Sequence, residues 1–419
     1  MTQVFSNAFS IKIKPVTSSI LPTWVPPTGY FADVPMSNNP ADVVPALYAG
    51  DSQGADSAFV NWGGSAVLRD FSPLGAQVYY SSGHEPSPDT PNMQFALICD
   101  FSTLQWSATN VPNSKNSIST ITSIGVFSDG TPYTPHTYLG LQELPAAWGG
   151  AKRGSLASFF WAGNNYLNRI NLLDVSKSNF GYTQLTTKQS QNVDPTRIRF
   201  SKDGADGGSY PITVIDNVRQ GWWVATTGSV DYTLFVDKTG AITQFPALGG
   251  NLANGTIVLC GKLDLLIAID GGYSSGNYSG QGYRSLYLRN LTSGITNYNV
   301  TLGVVPSLGD GYDGSVGTYN RPDMMGLQWV EELGCIVGID STVSPPVIVK
   351  LSPPMYNPET NPWTWSKVEV KHWSSDTSGS TALKSARNGM WSKFRWIPSL
   401  QSFVYCTAKD GKPQIVRIN

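Results

Sequence analysis

Short apolar runs separated by turn-forming residues dominate this chain. The pattern is clearest between residues 75 and 112, where residues 77–80 and 94–99 are rich in aromatic and aliphatic residues and a Gly/Pro/Ser/Asp segment divides them. After Cys99 come Asp, Ser and Thr, which hydrogen-bond their own backbone and close tight turns before Trp106. The stretch therefore predicts three strands, joined first by a long loop and then by a tight turn.

The same pattern recurs along the chain. A leucine followed by one small or polar residue precedes an apolar strand at residues 74–78, 263–267, 333–337 and 400–404, with a weaker copy at 220–224. Another apolar run precedes each copy, at residues 67–71, 257–260, 327–330, 394–397 and 212–215 respectively. Two further strands follow most copies, and a less regular unit spans residues 138–186. Repeated units of four antiparallel strands are typical of propeller blades.

We therefore predict an all-β protein, a six-bladed β-propeller of four-stranded antiparallel blades. The last unit begins at Phe394 and ends at residues 414–418, one strand short. Residues 29–35 could supply the missing outer strand, so that an N-terminal strand completes the last blade and removes its open edge. Residues 1–27 are predicted to form an extended N-terminal arm and residues 28–419 a single propeller domain.

Composition narrows the range of functions. Charged residues make up 14% of the 419 residues and the net charge is −1, so no basic field favours nucleic acid. The sequence has no apolar run of about 18 residues that would insert into a membrane. Its first residues lack the apolar core of a signal peptide, so we expect no secretion by that route.

The four cysteines each lie in an apolar run without the paired spacing of a zinc site. Buried free thiols are the prediction for Cys99, Cys260, Cys335 and Cys406. The alternative is a disulfide between neighbouring blades, which requires a close approach of the two Cα atoms.

The predicted connections are unequal in length. Because strands in a blade alternate in direction, nearly all the long connections fall on one face, the exceptions being residues 352–362 and the turn around Trp148. Long loops on a rigid scaffold are where binding residues concentrate. Four tyrosines among Gly, Ser and Asn, together with one histidine, are the candidate residues for binding a protein partner or a glycan: Tyr273, Tyr278, Tyr283, Tyr312 and His84. Burial of the aromatic rings between blades is the alternative.

The sequence also leaves metal binding and catalysis open at the face that carries the long connections. Two Asp-Gly segments could bring carboxylates to a Ca²⁺ ion, but neither has the EF-hand spacing and ordinary Asp-Gly turns are the favoured interpretation; their acidic residues are Asp203, Asp206, Asp310 and Asp313. His84, His136 and His372 are expected on or beside this face, which leaves an acid–base or metal-binding role open. We assign no catalytic residue, no confident metal ligand and no cofactor.

The order of strand, Gly-containing loop, strand, Asp-x-x-Thr-x-x-Trp and strand resembles Kelch-type propellers and the central propeller of the galactose-oxidase family. The residues that carry the resemblance are Tyr79, Gly83, Asp100, Thr103 and Trp106. The resemblance implies a propeller. Galactose oxidases are copper enzymes, and none of the three histidines here matches that family's ligand motif.

An all-β chain rich in Gly, Ser, Thr and Asn, without an export signal, also resembles bacteriophage virion components. The expected function is a non-enzymatic, structural or receptor-recognition part of a phage tail or fibre, located in the virion. Its partners would be other virion proteins, or a host receptor or glycan, and the N-terminal arm would mediate assembly. The alternative is a carbohydrate-active enzyme, a glycoside hydrolase or galactose-oxidase-like oxidase, with an axial active site.

Overall fold

Six antiparallel sheets follow one another around a ring. The structure is a computed structural model, and it describes residues 20–48, 58–59, 63–80, 95–109, 137–159, 169–176, 181–186, 188–189, 211–226, 232–249, 252, 255–271, 273–274, 277–278, 285–301, 322–341, 343–374, 380–386 and 389–419. Within these ranges no helix is both long enough and apolar enough to cross a bilayer.

The strands are grouped by blade. The first strand of the chain is β1 (Tyr30–Asp33). Blade 1 contains β2 (Gly64–Leu68), β3 (Ala76–Tyr80), β4 (Leu97–Asp100) and β5 (Gln105–Ala108). Blade 2 contains β6 (Leu141–Leu144), β7 (Ser155–Phe159), β8 (Arg169–Asp174) and β9 (Gly181–Thr186). Blade 3 contains the short edge strand β10 (Lys188–Gln189), then β11 (Pro211–Asp216), β12 (Gly221–Thr226), β13 (Tyr232–Asp237) and β14 (Ala241–Pro246).

The second half of the ring repeats the arrangement. Blade 4 contains β15 (Thr256–Cys260), β16 (Leu265–Ile269), an inserted hairpin of β17 (Tyr273–Ser274) and β18 (Asn277–Tyr278), then β19 (Ser285–Asn290) and β20 (Thr296–Thr301). Blade 5 contains β21 (Gln328–Val330), β22 (Cys335–Asp340), β23 (Val347–Ser352) and β24 (Thr364–Val368). Blade 6 contains the edge strand β25 (Lys371–His372), then β26 (Arg395–Ile397), β27 (Ser402–Tyr405) and β28 (Gln414–Arg417), and is completed by β1.

Strand β1 closes the ring. It pairs antiparallel with β28, with Tyr30 opposite Arg417 and Asp33 opposite Gln414. The innermost strands β2, β6, β11, β15, β21 and β26 contact one another in cyclic order, and β26 returns to β2. The predicted six-bladed propeller with an N-terminal strand in its last blade is therefore confirmed.

The core lies between neighbouring blades, which is why the inner strands are apolar on both faces. Trp222 of blade 3 is buried against Phe159 of blade 2, with ring centroids 5.5 Å apart. Tyr79 of blade 1 packs against Trp106, and its hydroxyl accepts a hydrogen bond from the backbone N–H of Cys406, which follows the last β27 residue of blade 6, at 3.0 Å. Burial raises the pKa of Tyr79 well above its ordinary value. Tyr79 therefore joins blade 1 to blade 6.

The predicted tight turn between β4 and β5 is built on Asp100. Its carboxylate accepts hydrogen bonds from the Ser102 backbone N–H at 3.0 Å and the Thr103 hydroxyl at 3.1 Å. The Ser72 hydroxyl of the preceding turn donates to the same carboxylate at 2.6 Å. Leu104 then takes a left-handed φ of 56° that reverses the chain.

Two features of the structure differ from or add to the sequence prediction, and a third confirms it. The first strand of blade 1 is Gly64–Leu68 and not residues 67–71; Phe71 lies in the following turn, buried beneath the Arg153 guanidinium, 5.1 Å from its ring centroid. The parallel edge strands β10 and β25 are additional elements. The four cysteines are buried free thiols, as predicted, and burial raises the pKa of Cys406 to about 12.

Candidate functional site

The connections divide into two faces. Turns from the first to the second strand and from the third to the fourth strand of a blade lie on one face, here called the short-turn face. The other connections lie on the opposite face, called the long-loop face. The chain between β5 and β6, or between β20 and β21, is far longer than most short-turn connections, as predicted. The exceptions on the short-turn face are residues 353–363 and 145–154, also as predicted.

The structure brings two of the predicted tyrosines together. Tyr273 and Tyr278 lie directly opposite each other in the β17–β18 hairpin, which belongs to the long-loop connection between β16 and β19. The remaining binding and metal candidates lie outside the described residues: His84, Tyr283, Tyr312, Asp203, Asp206, Asp310 and Asp313. Their roles stay predictions.

His372 lies away from the axis. It belongs to β25, the outermost strand of blade 6, where it is opposite Phe31 with ring centroids 5.5 Å apart. This edge position separates His372 from the innermost strands that surround the axis. The other two histidines, His84 and His136, fall outside the described ranges.

A buried polar cluster lies where the long-loop connections enter the innermost strands. The Ser65 hydroxyl donates to the Ser392 carbonyl at 2.6 Å, and the Ser65 backbone N–H donates to the Ser392 hydroxyl at 2.9 Å. The Ser392 hydroxyl donates in turn to the Tyr138 carbonyl at 2.6 Å. Gln77 completes the cluster by donating to the Ser65 hydroxyl and the Lys393 carbonyl. This axial cluster joins blades 6, 1 and 2.

Side chains of the innermost strands form further hydrogen bonds between neighbouring blades around the ring. Arg395 donates to the carbonyl of Ser65 at 2.9 Å and to that of Leu141 at 3.4 Å. Gln142 donates to the Thr213 carbonyl at 2.8 Å, which joins blades 2 and 3. Gln328 joins blades 5 and 6, because it donates to the Phe394 carbonyl and accepts from the Trp396 N–H. These hydrogen bonds thus fix the register between blades.

Two cations belong to this axial region. Burial lowers the pKa of Lys393 to about 7 and that of Arg395 to about 10, since a desolvated cation is disfavoured. Lys393 is fully buried and lies in a run that mixes aromatic and polar residues, Trp-Ser-Lys-Phe-Arg-Trp, from 391 to 396. Two cations among aromatic residues are a sequence signal for this region. The partner of Arg395 has no such signal, since Ser65 is 330 positions away.

The described part of the axial region therefore presents hydroxyl, amide and cationic groups engaged with neighbouring blades. Among described residues, no group of three or more His, Cys, Asp and Glu side chains is arranged to hold a metal ion. The hydrogen-bonded serines and amides can position the innermost strands, and the connections they anchor, with little freedom.

Comparisons with known proteins leave the family open. No protein-family model matches the chain, and no curated protein sequence is similar to it. Among solved structures, it is similar to the major allergen Mala s 1 of Malassezia sympodialis, at 11% sequence identity and a TM-score of 0.38, over 87% of this chain and 93% of the allergen chain. The propeller assignment rests on the strand pairing described above, and the Kelch-type relationship stays a prediction.

Proposed function

We propose that this protein is a non-enzymatic recognition propeller of a phage virion, which binds a protein or glycan partner through its long-loop face. The observation that carries the proposal is the unequal length of the connections. Most residues between the strands belong to connections of the long-loop face, where the axial cluster fixes the innermost strands. A rigid ring that presents variable connections on one face is a common arrangement for binding.

The pairing of Tyr273 with Tyr278 supports this use of the face. Two residues directly opposite each other in an antiparallel pair have neighbouring Cα atoms, so the hairpin brings two of the predicted tyrosines together in one long-loop connection. Tyrosine supplies a large contact area and a hydroxyl with few rotatable bonds, which suits glycan and protein recognition.

The binding test uses the full chain on a glycan array and on surfaces of candidate host cells. Tyr273→Ala and Tyr278→Ala should each weaken binding by about tenfold or more, the scale of an aromatic anchor in an interface. Tyr356→Ala is the matched control, because Tyr356 is 74% exposed but belongs to the short-turn face. Equal losses in the control, or release of free sugar from the array, would contradict the proposal, and sugar release would favour a carbohydrate-active enzyme.

The assembly role of the N-terminal arm is tested separately. Leu21, Trp24 and Val25 pack against the hydrophobic core between blades 6 and 1, so an informative deletion ends before them. Removal of residues 1–19 should leave a folded propeller and abolish its incorporation into particles, measured by mass spectrometry of purified virions. If the deletion variant is incorporated as well as the full-length chain, the arm has no role in assembly. If the full-length chain itself is absent from virions, the virion assignment is refuted.

A further inference from the structure

A cavity of about 140 Å³ lies between blades 3 and 4 and opens on the short-turn face. Arg219, in the β11–β12 turn, and Leu291 and Gly294, in the β19–β20 turn, form its mouth. The Arg219 side chain at the mouth is 30% exposed, and its sequence neighbour Val218 and the nearby Ile295 are 78% and 59% exposed, so solvent reaches the mouth. The cavity is therefore accessible, and it lies on the opposite face from the tyrosine hairpin.

The inner wall is aromatic. Trp223 has its ring centroid 5.0 Å from that of Phe235 and 5.0 Å from that of Phe245. The Trp223 indole is fixed further by a hydrogen bond from its Nε1 to the Asp216 carboxylate at 3.0 Å. A cavity of roughly 150 Å³ lined by apolar side chains accepts a single benzene ring, so this one matches one ring in size.

The charged part of the lining is cationic. Arg219 and Arg289 both line the cavity, and none of the residues that line it is acidic. Arg289 is 3% exposed and is held over the Phe245 ring at 5.7 Å; it donates to Thr296 Oγ1 at 3.2 Å and to the carbonyl of Ala247 at 3.2 Å. Arg219 is ion-paired with Asp216 at 3.1 Å and with Asp264 at 2.7 Å, which fixes its orientation and offsets its charge. Both guanidiniums are therefore held in place, and Arg289 is the main cationic group toward an anion in the cavity.

We propose that this inter-blade cavity is a binding site for a small aryl carboxylate, with its ring against the three aromatic side chains and its carboxylate directed to the guanidiniums of Arg289 and Arg219. The aromatic side chains stack on the ligand ring, and the guanidiniums attract its carboxylate. A neutral ligand of the same shape keeps the stacking but loses the charge attraction, so the site should select the carboxylate. The site is independent of partner binding at the long-loop face.

The test is isothermal titration of the full chain with benzoate and with benzamide, its neutral isostere. Benzoate should bind one molecule per chain, about tenfold or more tighter than benzamide, the scale of a hydrogen bond to a charged group. Absence of benzoate binding, or equal affinity for the two probes, would overturn the proposal.

Paired variants locate the site. Leu291→Trp fills the cavity and should abolish benzoate binding, whereas Ile295→Trp adds the same bulk beside the mouth and should not. Arg289→Met should reduce benzoate affinity to that of benzamide, and its control is Arg153→Met, which removes a guanidinium stacked over Phe71 in the same way. Circular dichroism checks that each variant folds. If Arg289→Met does not fold, the Leu291→Trp variant decides the question. Unchanged benzoate binding in Leu291→Trp would mean that benzoate binds elsewhere, and would overturn the proposal.

Discussion

The buried Lys393 amine makes the stability of the propeller depend on pH in a direction that can be worked out. Its pKa is lowered from 10.5 to about 7 in the folded protein because burial removes the solvation of the cation. The unfolded chain therefore binds more protons at this residue than the fold does between about pH 7 and pH 10.5. A lowered lysine pKa destabilises the fold when the pH is low, and this cost is relieved as the pH rises through that window.

The magnitude follows from the two pKa values. At pH 7 about half of the folded molecules carry the proton, whereas nearly all unfolded chains do. Raising the pH to about 8.5 leaves the folded amine neutral and the unfolded one charged, so the contribution of Lys393 to the free energy of unfolding rises by about 1.5 kcal/mol. The cysteine thiols of the unfolded chain begin to titrate in the same range, so the quantity to compare is the pH slope of two proteins that differ only at Lys393.

The assay is urea denaturation of the wild type and of Lys393→Met at about pH 7 and pH 8.5. The wild type should gain about 1.5 kcal/mol more than the variant over this interval. Val404→Ala is the control, since it destabilises the same blade through a buried aliphatic side chain and removes no ionisable group; it should keep the wild-type slope. Equal slopes for wild type and Lys393→Met would refute the assignment of a desolvated, low-pKa amine at this position.

Three further predictions concern the ring itself. Gln142→Leu should cost about 1–3 kcal/mol in urea denaturation, because it leaves the buried Thr213 carbonyl without the 2.8 Å bond, and an unchanged midpoint would contradict the inter-blade role. Phe31→Ala, in the closing strand, should cost about 3–5 kcal/mol in the same assay, since Phe31 is buried against blade 6, whereas a near-neutral effect would mean that β1 does not complete the blade. The four thiols should react with a thiol reagent only on unfolding, because burial raises the pKa values of Cys99, Cys260, Cys335 and Cys406; rapid reaction of the native protein would place at least one at the surface.

The repeat was predictable because its physical causes are local. Strands that are buried between blades appear in the sequence as apolar runs. The turn at Asp100 forms through hydrogen bonds to the neighbouring Ser102 and Thr103. The closing strand was also predictable, since the last unit lacked one strand and residues 29–35 offered a match. Both features depend on the pattern of the chain and not on any long-range side-chain contact.

The axial cluster was not predictable in the same way. Gly64 and Ser65 precede the predicted strand at residues 67–71, yet they begin β2, where Ser65 is hydrogen-bonded to Ser392 across the ring closure. Only closure of the ring brings Ser65 and Ser392, which are 327 positions apart in the sequence, into hydrogen-bonding distance. The cavity between blades 3 and 4 has the same origin, since Arg219 and Gly294 belong to turns of different blades.

The central claim is that the N-terminal strand closes the ring within its own chain, and a cysteine cross-link tests it most directly. Tyr30 and Arg417 are opposite each other in the β1–β28 pair, at a separation within reach of a disulfide. Oxidised Tyr30→Cys/Arg417→Cys should be an intramolecularly linked monomer on a non-reducing gel, whereas Tyr30→Cys/Gln414→Cys, which joins opposite ends of the strand pair, should not cross-link. Disulfide-linked dimers of the first variant, or equal cross-linking of the two, would contradict closure within one chain.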